Sequence, residues 1–133
     1  MEQFGQLLCG IELESIPCST VRQIEQAWSD GRLPVWLPCH LMEQERQLPR
    51  TWDITSDTIA AWLANLLRAG GLLLVKSCDI PGEQGDPAVL AAAGIVDAAL
   101  PAYLSGCLIP LRAVHKDRWS ELPELVTRMK RRA

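Results

Sequence analysis

Two short polar segments hold the side chains best suited to chemistry. The first is Asp53-Ile54-Thr55-Ser56-Asp57-Thr58, five hydrogen-bonding side chains of which two are carboxylates. The second is Lys76-Ser77-Cys78-Asp79, directly after the apolar run 72–75. In open parallel sheets, ligands bind beyond the carboxyl ends of strands and at helix amino termini, where unpaired N–H groups and the helix dipole attract anions. A plainer reading applies to each segment. Thr55 or Ser56 caps a helix, Asp57 in the first turn gains about 0.3–1 kcal/mol from the dipole, and Lys76 and Asp79 are solvated residues leaving a strand. Taken singly, each segment favours the plainer reading.

The elements that must position these residues can be read from periodicity. Residues 59–67 are almost continuously apolar or Ala, which predicts a helix opened by Thr55-Ser56-Asp57, buried on most sides and ended by Gly70 and Gly71. Residues 72–75 show no alternation and read as a central strand buried on both faces. Upstream, apolar residues at 1, 4, 7 and 8 predict a helix over 1–9 with Gly10 as its stop. A second helix is predicted over 20–28, capped by Ser19, closed by Gly31 and facing inward with Val21, Ile24 and Trp28. Residues 33–37 read as a short strand with Pro34 at its start or on an edge, and 39–52 as polar and irregular. Downstream come a loop over 80–87, short helices over 88–93 and 98–104 around a turn at 94–97, a strand over 108–114, and a closing helix over 119–129 with a basic end. Alternating helices and strands predict an α/β fold, a three-layer αβα arrangement with a mainly parallel central sheet, in a single domain over 1–133. Three strands are few for such a sheet, so the chain is expected to be a fragment or to be completed by a partner.

Composition narrows the function. Of 133 residues, 48% are apolar and 22% charged, the balance of an ordinary globular protein rather than a disordered one. A net charge of -3 gives no general attraction to phosphate backbones or anionic lipid, so nucleic-acid and membrane roles are not expected. No apolar run approaches the roughly 20 residues of a membrane span. Cys9, Cys18, Cys39, Cys78 and Cys107 are odd in number and widely spread, with only His40 and His115 to assist, which argues against a disulfide framework and against a zinc site. With no signal-peptide pattern after Met1, a reducing, cytoplasmic location is expected.

The two polar segments acquire meaning together. Thr-Ser-Asp-Thr-Ile-Ala-Ala at 55–61, an apolar helix, Leu-Leu-Leu-Val at 72–75 and a polar stretch ending in Asp79 resemble the amino acid kinase superfamily, which phosphorylates aspartate, glutamate and uridylate. Trp52 to Asp57, Gly94-Ile95-Val96-Asp97 with Leu100-Pro101, and Met1-Glu2-Gln3 running into Gly5 resemble the small kinases of methanofuran biosynthesis in particular. The resemblance implies ATP and magnesium as cofactors. It implies a role for Asp57 as organiser of the catalytic site, Thr55 and Ser56 near the substrate, and Lys76, Ser77 and Asp79 along the nucleotide, with no residue acting as a metal ligand. The phosphoryl acceptor it implies is a small aminomethyl-furan or amino-acid-like compound. The family's opening strand, lysine and Gly-Gly-Ser loop lie before the region where this sequence starts, and the usual Asp-Gly of the nucleotide segment is here Asp79-Ile80. The sequence therefore reads as the carboxyl-terminal part of such a kinase, inactive alone and working as a homo-oligomer or with a complementing amino-terminal lobe. The competing expectations are a catalytically inactive interaction or regulatory subunit of the same fold, and an unrelated α/β scaffold.

Overall fold

The computed structural model describes residues 2–46, 48–81 and 85–130, and the chain falls into two compact units, 1–48 and 49–133. Met1, part of the expected loop at 80–87 and the basic tip of the chain lie outside the described residues. The protein is mixed α/β, with two parallel strand pairs in place of one three-stranded sheet.

In the first unit, helix α1 (Glu2–Ile11) leads to strand β1 (Ser15–Cys18), helix α2 (Val21–Ser29), strand β2 (Leu33–Trp36) and a short helix α3 (Cys39–Gln44). Strands β1 and β2 pair in parallel, Ser15 opposite Leu33 and Cys18 opposite Trp36, so α2 is the crossover between them. The cap of α2 is Thr20 rather than Ser19. Its hydroxyl accepts from the Gln23 amide at 3.2 Å while Gln23 Oε1 accepts from the Thr20 amide at 3.1 Å, a reciprocal capping box. Ile24 and Ala27 form the buried face, whereas Trp28 is exposed. Gly31, at φ +68°, takes the left-handed conformation that reverses the chain into β2. Pro34 is tolerated because β2 has a single partner strand. Strand β1 and helix α3 were not expected, and α1 runs past Gly10 to Ile11.

The second unit runs helix α4 (Ser56–Leu66), strand β3 (Leu72–Lys76), short helices α5 (Pro87–Ala92) and α6 (Leu100–Ser105), strand β4 (Leu111–His115), a 3-10 turn (Lys116–Glu121) and helix α7 (Leu122–Lys130). Strands β3 and β4 are parallel, with Leu72 opposite Leu111 and Lys76 opposite His115. One face of the pair packs Leu72 and Leu74 with Ala61 of α4, Leu90 of α5, and Leu100 and Leu104 of α6. Val114 and Met129 are buried outside that cluster. Two expectations are corrected. Helix α4 buries only the stripe Asp57, Thr58, Ala61 and Ala64, leaving Leu66 about half exposed, and β3 is not covered on both faces, since Val75 is 53% exposed. The stop of α4 also precedes Gly70 and Gly71. Arg68 adopts φ +50°, and the Ala69 amide donates back to the Ala64 carbonyl at 2.8 Å, closing the helix end.

Candidate functional site

Helix α4 and strand β3 are joined by a short turn and must run antiparallel to each other. Their lengths match: from Asp57 to Leu66 is about 14 Å of helix, and from Leu72 to Lys76 about 13 Å of strand. The first turn of α4 is thereby returned to the carboxyl end of β3. Lys76 Nζ lies 2.7 Å from each oxygen of Asp57, a two-pronged ion pair between groups 19 residues apart in sequence. The Asp57 side chain is 9% exposed and that of Lys76 18%, so the pair is largely shielded. Breaking a buried pair costs about 3–5 kcal/mol, an upper limit here because Lys76 opens to water. An ammonium group carries three donors, and Asp57 takes two, leaving one for an incoming acceptor.

The start of α4 is held from a distance. Thr55 occupies the cap position, yet its side chain makes no capping bond to the first turn. The Asp97 carboxylate does that work instead: Oδ2 accepts from the Thr55 and Thr58 amides, both at 2.9 Å, and from Thr55 Oγ1 at 3.1 Å. Asp97 Oδ1 accepts from the Thr58 hydroxyl and from the Leu100 amide, the latter at 3.1 Å, so one carboxylate fixes the starts of both α4 and α6. The Asp97 amide then donates to Asp57 Oδ2 at 3.3 Å, tying this latch to the ion pair. Burial pushes the Asp97 carboxyl up, but the bonds from the side chains and amides of Thr58 and Thr55 outweigh it and hold the group below its ordinary range.

Of the residues expected at a site, Asp57 and Lys76 come together, Thr55 turns to Asp97, and Ser56 stands exposed at the first helical position. Ser77 and Asp79 are exposed after β3 and make no hydrogen bond to this cluster among the described residues. Sequence reasoning took 94–97 as a turn and missed Asp97. An acid three residues before Leu100-Pro101 signals a local cap of α6, but nothing local points to α4. It also gave no role to His115, which ends β4 in register with Lys76. No family model, curated protein or solved structure matches the chain.

Proposed function

We propose that the second unit is the nucleotide-binding part of an ATP-dependent phosphotransferase of the amino acid kinase type. One observation carries this reading. Asp57 and Lys76, drawn from the two segments whose order suggested the family, meet at the carboxyl end of a parallel strand pair, where such folds bind ligands. In this role Lys76 offers its remaining donor to a phosphate oxygen, and Asp57 orients the ammonium group. Phosphoryl transfer depends on such positioning and on charge stabilisation. The reading includes a three-layer αβα arrangement. Burial of Leu72 and Leu74 under α4 to α6 on one face, with Val114 and Met129 buried outside that cluster, supports it. It also includes a small aminomethyl-furan or amino-acid-like acceptor, and a partner that is either a second copy or a complementing amino-terminal lobe.

Among the described residues no group of three or more metal-ligating side chains forms. In this reading magnesium arrives with ATP, bound to its phosphates.

A second reading, an inactive interaction or regulatory subunit, is favoured by the mutual neutralisation of Asp57 and Lys76, which leaves little net positive charge for phosphate. Calorimetry separates the two. The chain should bind magnesium ATP, and Lys76→Ala should weaken that binding by roughly 1–3 kcal/mol, the scale of a charge-assisted hydrogen bond. Because Lys76→Ala strands the Asp57 charge, the same comparison is repeated with Asp57→Asn in both proteins. Absence of any nucleotide binding would favour the inactive subunit. In an assembly supplied with the amino-terminal lobe, Asp57→Asn should slow turnover about a hundredfold, roughly 3 kcal/mol of barrier, whereas near-normal turnover would reduce Asp57 to a structural residue.

A further inference from the structure

His115 is opposite Lys76 in the parallel ladder, so both side chains leave the sheet on the same face, from strands about 4.8 Å apart. Its ring is oriented by the chain that follows. The Asp117 amide donates to His115 Nδ1 at 3.2 Å, and the Asp117 carboxylate lies 3.5 Å from the same nitrogen. Accepting at Nδ1 places the proton of the neutral ring on Nε2. Nε2 makes no hydrogen bond among the described residues, and the side chain keeps 24% of its surface open to solvent. Lys116 Nζ holds the Asp117 carboxylate at 2.8 Å, offsetting the nearest negative charge. Serving only to accept from Asp117, position 115 would suit Ser, Asp or Asn, the common caps. A histidine adds a second nitrogen on the far side of the ring. Together, the third donor of Lys76 and the Nε2–H of His115 are two donors with no partner among the described residues, the Asp57 carboxylate beside them being occupied by the other two Lys76 donors and the Asp97 amide. That set complements an oxyanion that can only accept.

We infer that His115 is a second phosphate-contacting residue of this site, donating from Nε2 to a phosphoryl oxygen of the nucleotide held beside Lys76. The inference rests on the phosphotransferase reading. Lys76 supplies charge and His115 supplies direction, from adjacent strand ends.

The test uses the intact chain with isotope-labelled histidine. Its two histidines give two ring signals, and His40→Gln assigns them. Titration with magnesium ATP, and separately with inorganic triphosphate, should move the His115 signal and leave that of His40 in place. Two variants separate binding from capping. His115→Asn keeps an oxygen at the Nδ1 position to accept from Asp117 but loses the far donor, and His115→Gln does the reverse. Affinity for both probes should fall roughly tenfold in His115→Asn, the scale of one hydrogen bond to a charged group, and stay within about threefold of the parent in His115→Gln. Saturable ATP binding with an unmoved His115 signal, or with the two variants ranked the other way, overturns the inference and leaves the phosphotransferase reading intact. If neither ATP nor triphosphate binds the parent chain, both fall. The ring-signal experiment needs no variant at position 115, so a substitution that fails to fold does not remove the test.

Discussion

Asp97 accepts five hydrogen bonds from three residues on two helices, more than the local cap that a sequence reading would assign it. Asn in its place keeps one acceptor but turns an amide donor toward other donors, so Asp97→Asn should destabilise the second unit by about 1–2 kcal/mol at pH 7. The direction of the pH effect follows from the lowered carboxyl. A group held below its unfolded value contributes its full stabilisation above that value, near pH 3.9 for aspartate, and loses it as pH falls through the folded value. The stability gap between parent and variant should therefore narrow in acid. Denaturant unfolding of both proteins at pH 7 and pH 3 measures it, and a gap unchanged between the two would remove the carboxylate charge from the account.

At the scale of elements, two left-handed positions give opposite expectations. Gly94, at φ +67° after α5, has open space where a β-carbon would go, so Gly94→Ala is opposed by the backbone alone and should cost about 1 kcal/mol. Arg68, at φ +50° after α4, already bears that strain, and Arg68→Gly should stabilise by somewhat under 1 kcal/mol once the extra freedom of the unfolded chain is subtracted. Thermal melts of the two variants should shift in opposite directions, and a shared direction would show that conformation does not govern these helix ends. The same two positions mark what was legible in the sequence. Segments with apolar residues at helical spacing, α1, α2, α4 and α7, were readable, although α1 leaves its apolar residues exposed and α7 begins at Leu122 rather than at 119, and β3 was readable from its dense apolar run. Strand β1, four residues with Pro17 inside, is too short to display a period, and it exists because Arg32 donates to the carbonyls of Leu13 and Glu14 at 2.9 Å while β2 pairs alongside. The inward face of α2 was misjudged at Trp28 because a small Ala27 sits where the packing is closest. Asp57 and Lys76 could be nominated from their places at a helix start and a strand end. The hold of Asp97 on α4 could not, since Thr55 and Thr58 lie about forty positions upstream and carry no local signature.

For the molecule as a whole, Phe4, Leu7, Leu8 and Ile11 of α1 are exposed, between 48% and 72%, a concentration of apolar surface that single chains seldom leave open. Together with strand pairs whose outer edges have no partner strand among the described residues, this supports the association included in the proposed function. Light scattering at tens of micromolar should report a species larger than 14.7 kDa, and Phe4→Glu with Ile11→Glu should lower its mass without unfolding the chain. A monodisperse monomer for the parent would refute it. The distant cap of α4 also has a consequence in time. Synthesis proceeds from the amino terminus, and Asp97 follows Thr55 by 42 residues, so at about 5–20 residues per second the ribosome adds it some 2–8 seconds after the helix start. Lys76 is added about halfway through that interval, so for its second half the nascent α4 has its ion-pair partner but not yet its cap. Pairing and helix formation should thus precede the locking of the helix start, which waits on a residue the ribosome has yet to release.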